Sequence, residues 1–199
     1  MTDNRPKKRI LYLYSDTGGG HRAAANALIS AVKILKGDEV EQEAIDVFAS
    51  GSSFLNIFAK AYAPVIRYAP WLWRMLWFGL NDKRRLDILE KVASPFILKN
   101  ISGIFKEKSP DLLVSVHPLV NHLSIKAVKR NGRHIPFMTV GMDPVDLHKA
   151  WVSTDTDIMV VATEEAKQKC LNEGLQEDKI KLLGLPIDPR FLGAHDRNI

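Results

Sequence analysis

An α/β fold, a parallel sheet with helices on both faces, is predicted by three observations. Short apolar runs recur along the chain, stretches of helical length separate several of them, and polar residues stand where the runs end. Alternation of strand and helix favours parallel strands joined by crossovers. Ligands of such sheets bind beyond the carboxyl ends of the strands. With 199 residues, 46% of them hydrophobic, the chain can bury one good core, so a single domain is expected.

The first predicted strand, residues 9–14, runs into Ser15-Asp16-Thr17-Gly18-Gly19-Gly20-His21-Arg22. Glycines turn sharply and bring backbone close to a ligand, since no Cβ obstructs the approach. The alanine- and leucine-rich stretch 22–35 then predicts a helix whose N-terminus points at a bound anion. Gly18, Gly19 and Gly20 are therefore candidates for cradling a diphosphate, and His21 stands at the mouth of that site. An imidazole with an intrinsic pKa of about 6.5 can take a proton from an attacking hydroxyl, which suggests group transfer from a phosphorylated donor. Two other readings are open. The glycines can simply connect strand to helix, or Gly18 to Ala23 can serve as a G-x-G-x-x-A dinucleotide turn with Asp46 as its ribose-binding acid. A Walker A loop is excluded, because no Gly-Lys-Ser/Thr follows.

A second strand is predicted at 43–48. The interval 51–108 then breaks the alternation and is read as a long apolar helical insert. Its centre holds Trp71, Trp73, Trp77 and Phe78, and Lys83, Arg84 and Arg85 follow at once. Indole rings favour the membrane–water interface and basic side chains meet anionic lipid, so these seven residues are candidates for peripheral membrane docking. Lys60, Arg67, Arg74, Pro64 and Pro70 interrupt the run of about 20 apolar residues that a spanning helix needs. The competing reading packs this segment into the core or against a partner chain.

Strands are further predicted at 112–116, 136–140 and 158–161, with helices at 119–130 and at 164–173, the last closed by Gly174. His117 and Asp143 fall at the ends of two of these strands. His117 can serve a site or merely its turn; Asp143 can orient a histidine or sit solvated in a proline turn. The loop after Asp143 also carries His148 and Trp151. His122 and His134, in or beside a basic helix, are expected to face solvent. No H-x-x-x-H or H-E-x-x-H spacing suggests a metal, and the one cysteine, Cys170, allows no intrachain disulfide. The formal net charge of +5 favours anionic partners, among which nucleic acid, phosphorylated donors and acidic lipids all qualify. The polar residues 1–8 contain no apolar signal-peptide core, so export is not expected.

The stretch Ser15 to Arg22, Ser115-Val116-His117-Pro118-Leu119, the Asp143, His148 and Trp151 loop and Gly184-Leu185-Pro186-Ile187-Asp188-Pro189-Arg190-Phe191 together resemble the monogalactosyldiacylglycerol synthase family, which includes processive diacylglycerol glucosyltransferases. The resemblance implies the N-terminal, acceptor- and membrane-binding half of a GT-B glycosyltransferase over residues 1–199, with the C-terminal nucleotide-sugar domain absent. It implies transfer of a hexose from a UDP-sugar to diacylglycerol without a metal or other cofactor, at the cytoplasmic face of a membrane containing anionic lipids, with no nucleic-acid partner. His21 or Asp143 would be the catalytic base; His117, His148 and Trp151 would line the acceptor side. A dinucleotide-binding oxidoreductase and a non-catalytic membrane-binding module are the alternatives.

Overall fold

The computed structural model describes residues 7–16, 19–51, 61 and 64–192. Gly18 of the glycine turn, and Lys60 with the rest of 52–60 and 62–63 in the insert, lie outside the described residues.

Six parallel strands form one sheet in the order β2-β1-β3-β4-β5-β6: β1 (Lys8–Tyr14), β2 (Val40–Asp46), β3 (Leu112–Ser115), β4 (Phe137–Val140), β5 (Ile158–Val161) and β6 (Ile180–Leu182). Residues one apart on a strand point to opposite faces. Leu11 and Leu13 pair in register with Leu113 and Ser115, and Leu113 with Phe137. On that face the apolar layer is closed by α4 (Lys83–Lys108), through Ile97, Ile101 and Phe105, and by α5 (Pro118–Arg130), through Val120, Leu123 and Ala127. Tyr12, Val114, Val116 and Val140 face the other way, against Ala24 and Ala25 of α1 (Gly20–Lys36). Ala166 and Cys170 of α6 (Glu164–Asn172) cover Met159 and Val161 of β5. Each fully buried large aliphatic side chain contributes about 1.5–3 kcal/mol, so the sheet sandwiched between helix layers holds the fold.

Element boundaries have local causes. Thr163 accepts a hydrogen bond from the Ala166 amide at 3.2 Å and starts α6, whose first turn carries Glu164 and Glu165. Asp46 ends β2 two residues before the expected limit, because its Oδ1 accepts from the amides of Phe48 and Ala49 and opens the short helix α2 (Val47–Gly51). β6 was not expected from the sequence: it is three residues long and buries only Ile180, which leaves no periodicity to read.

The chain leaves β1 for β2 on one side and returns to β3 on the other. The crevice beyond the carboxyl ends of β1 and β3 is thus the switch point of the sheet, where side chains from two strand ends converge.

The insert differs from the long apolar helix expected. Its apolar run ends at Leu80 with α3 (Pro70–Leu80), 11 residues long; Asp82 then accepts from the Arg85 amide at 3.1 Å and starts the 26-residue α4. The α4 helix exposes charged side chains with Ile88 and Val92 among them, and its buried stripe of Ile97, Leu98, Ile101 and Phe105 belongs to the core. Among the described residues no helix is long and apolar enough to cross a membrane.

Ser109 closes α4 in the left-handed region, at φ 46°. A side chain there is penalised by about 1–2 kcal/mol, partly offset by the entropy that glycine loses on folding. Ser109→Gly should therefore raise the melting temperature by about 2 °C, corresponding to a net gain of about 0.5–1 kcal/mol; an unchanged or lower midpoint would show that the Ser109 hydroxyl, bonded to the Lys106 carbonyl at 3.1 Å, outweighs the strain.

Candidate functional site

Gly19 has φ 84°, a conformation that a residue with a Cβ adopts only under strain, and this turn directs α1 back across the sheet. The N-cap Gly19 gives α1 no side-chain cap and its first turn holds no acidic residue, so the positive dipole end of the helix lies at the carboxyl end of β1 without a carboxylate cap. His21, on that turn, places its Nδ1 2.6 Å from the carbonyl oxygen of Val116. A carbonyl only accepts, so Nδ1 carries the proton and Nε2 of the neutral ring keeps its lone pair. Burial pushes the His21 pKa down, while the Val116 carbonyl and the Asp143 carboxylate pull it back up.

His117, at the start of α5, is buried, and its ring meets that of His21 edge-on at 4.5 Å between centroids. Burial holds His117 well below its ordinary value, with the neighbouring His21 adding to the effect. Phe48, in α2, packs edge-on against His117 at 5.6 Å. Trp151 is wholly buried and donates Nε1–H to Asp143 Oδ2 at 2.7 Å; its ring lies 6.0 Å from that of His21.

His148 occupies the same region with both nitrogens engaged. Its Nδ1 accepts from the Ala150 amide at 3.1 Å, so Nε2–H donates to the Trp77 carbonyl at 3.2 Å. Asn81 accepts from the Lys149 amide at 3.1 Å, and the rings of Trp77 and His148 lie 4.5 Å apart. These contacts fasten the end of α3 to the loop that carries Asp143.

The result is a cavity of about 560 Å³ lined by His21, Phe48, Trp73, Trp77, Leu80, His117, Asp143 and His148, among others. That volume suits a small-molecule site. The sequence-based candidates His21, His117, Asp143, His148, Trp73 and Trp77 converge here. Trp151 stands behind Asp143. Trp71 and Phe78, on the other side of α3, are exposed, as are Lys83, Arg84 and Arg85. Gly19 and Gly20 lie at the N-terminus of α1.

Sequence reasoning missed Phe48 and Asn81, and it missed the Val116 carbonyl. Phe48 ends an apolar run like many core residues, and backbone atoms leave no signature. His122, expected in solvent, is instead half-buried between α4 and α5, and burial lowers its pKa. Asp46 does not stand as a ribose acid: Oδ1 caps α2 and Oδ2 accepts from the Asp16 amide at 3.1 Å. Burial pushes the Cys170 thiol up to about 11, away from reactivity. Among the described residues no group of three or more His, Cys, Asp or Glu is placed to hold a metal ion.

An all-parallel sheet with a cavity at its switch point makes a Rossmann-like domain, of the kind typical of the GT-B fold. The model of the monogalactosyldiacylglycerol (MGDG) synthase family matches residues 21–187, and the chain belongs to that family. It is 31% identical over 191 residues to a probable monogalactosyldiacylglycerol synthase, chloroplastic, of Glycine max, covering 94% of this chain and 36% of that protein. The chain thus spans about a third of the length of the first curated relatives it matches. Among solved structures, a UDP-N-acetylglucosamine 2-epimerase from Rickettsia bellii superposes with a TM-score of 0.53 at 13% identity, over 98% of this chain and 50% of that one. The apo form of the lipopolysaccharide outer core galactosyltransferase WaaB superposes with a TM-score of 0.50 at 14% identity, over 90% and 46%. At these identities the superpositions speak for the fold alone.

His21, His117, His122 and His148 all have lowered pKa values. An unfolded chain, whose imidazoles titrate near 6.5, binds more protons than the folded one below that pH, so stability is complete above pH 7 and lost on acidification. Unfolding free energies from urea titrations should fall from pH 7 to pH 5, by up to about 1.4 kcal/mol per pH unit for each imidazole kept neutral. His117→Asn should flatten the slope; a profile flat in the parent protein contradicts this account.

Proposed function

We propose that this chain is the acceptor-binding part of a membrane-associated enzyme that moves a hexose from a UDP-sugar to diacylglycerol. The observation that carries the reading is the His21 imidazole, fixed by Val116 with Nε2 as its basic nitrogen, in an apolar cavity walled by α3. Family membership supports the substrate classes.

In this mechanism the lipid hydroxyl lies at His21 Nε2. Its oxygen attacks the anomeric carbon in line as its proton passes to Nε2, and the bond from that carbon to the diphosphate oxygen breaks. The electron pair leaves with UDP, inverting the anomeric centre. The first-turn amides of α1, together with Gly18, Gly19 and Gly20, stabilise the charge growing on the diphosphate. Asp143, held by Trp151, stabilises the imidazolium. His117 packs against His21, and His148 keeps the acceptor side in shape by holding α3. Most of the donor's binding site is assigned to a second, nucleotide-sugar-binding half, which the longer relatives have room for, so this stretch by itself is catalytically incomplete.

Attachment is peripheral, on the cytoplasmic face. Trp71, Met75 and Phe78 share the exposed side of α3, and Lys83, Arg84 and Arg85 follow it, an arrangement suited to anionic lipid headgroups. The alternative of a dinucleotide-binding oxidoreductase lacks its ribose acid, because Asp46 is occupied by capping.

His21→Ala in the whole protein should lower kcat/KM for sugar transfer by about 100-fold or more while leaving cosedimentation with vesicles intact. Unchanged turnover would remove His21 as the base, and vesicle binding without any transfer by the parent protein would favour a non-catalytic membrane module. Replacing Trp71 and Phe78 with serine should release the protein from phosphatidylglycerol-containing vesicles, and full retention would place the membrane contact elsewhere.

A further inference from the structure

A second cavity, of about 550 Å³, lies between α4, α5 and the Lys149–Trp151 turn. Phe48, Pro118, Leu119 and Ala150 line both this cavity and the one at His21, so the two adjoin across a shared wall. Beyond that wall the apolar part of the lining comes from Leu86, Leu89 and Ile97 of α4 and Leu123 of α5. Its charged side chains are largely committed to one another or to neighbours. Glu90 pairs with Lys126 at 2.5 Å, Lys149 with Glu173 at 3.0 Å, and Asp155 with Lys129 at 2.7 Å. Burial keeps His122 of the same wall uncharged at neutral pH. A sugar or nucleotide would find few unengaged polar partners here, whereas a hydrocarbon would lose only water.

Position selects the occupant. Lys83, on the rim of the second cavity, lies three residues beyond Leu80, which lines the first. Both cavities therefore open beside the α3–α4 corner, next to the outward Phe78. The first cavity holds His21 and Asp143, while in the second, beyond Phe48, most of the charged side chains are paired with one another or with neighbours, in the order in which a glycerolipid presents its hydroxyl and its chain.

We propose that the second cavity receives one hydrocarbon chain of the lipid whose hydroxyl reacts at His21, with Phe48 as the bend between headgroup and chain. This rests on the acceptor reading above and adds a determinant of specificity. Each methylene that enters strengthens binding by about fourfold until the cavity is filled, so the space behind Phe48 sets a preferred chain length.

The test uses the whole protein with phosphatidylcholine–phosphatidylglycerol vesicles holding one of two diacylglycerols, with a photoactivatable diazirine either at the end of one acyl chain or near its ester. After irradiation, labelled residues are mapped by peptide mass spectrometry. The terminal probe should label Leu89 and Leu123, inside the cavity, and the ester-proximal probe should label the segment from Trp77 to Leu80. Leu89→Trp, which fills the cavity, should abolish labelling of Leu123 and leave the proximal label in place. Terminal label confined to the outward Ile88 would mark mere surface contact and overturn the inference. Proximal label at α3 with no terminal label on α4 or α5 would overturn it too, while leaving the acceptor reading intact. Absence of label around the His21 cavity from both probes would overturn the two together.

Discussion

The peptide that ends β3 carries more of the site than any side chain does. The Val116 amide donates to the Leu13 carbonyl at 3.0 Å, which continues the ladder with β1, and its own carbonyl receives His21 Nδ1–H. One residue thus joins two central strands to the N-terminus of the helix between them, and it selects the tautomer of the imidazole. If that carbonyl turned away, His21 would lose its orientation and its buried Nδ1–H would lose its partner, an unfavourable state in so apolar a setting. The left-handed Gly19 makes the approach feasible by swinging α1 over the strand ends.

A comparable economy governs the loop after β4. Gly141 lies where an added Cβ would come within 3.0 Å of Met159 Cε and 3.1 Å of Leu147 Cδ1, so the backbone packs there against neighbouring side chains. Eight residues past Asp143, Trp151 is wholly buried, its indole N–H bonded to that carboxylate and its carbonyl accepting from Asn121 at 3.1 Å. A long loop at a strand end would ordinarily be mobile; here an aromatic anchor fixes it to α5.

Much of this was legible in the sequence because periodicity and turn chemistry are local. The glycine run after an apolar strand, the proline after His117 and the apolar runs at 112–116, 136–140 and 158–161 all placed elements, and they put His21, His117 and Asp143 at strand ends. The insert was less readable, since an apolar count over 51–108 runs α3 and α4, helices with different tasks, into one, and Asp82, as the cap of α4, divides these two. His148 shows a further limit. Its place in the loop could be read, but the Trp77 carbonyl 71 residues away, which occupies its Nε2, could not. Side-chain identity reports what a residue can do; distant backbone decides what it is left free to do.

The α3 helix has two apolar sides. Trp73, Trp77 and Leu80 face the cavity, and Trp71, Met75 and Phe78 face outward. An apolar body laid against the outer side also closes off solvent along the rim on the inner side. The local dielectric at the cavity then falls, and the attraction between Asp143 and a protonated His21 grows as water is excluded. Contact on one side of a single short helix thereby sets the polarity of the medium around the imidazole, with no change in the position of any atom lining the cavity.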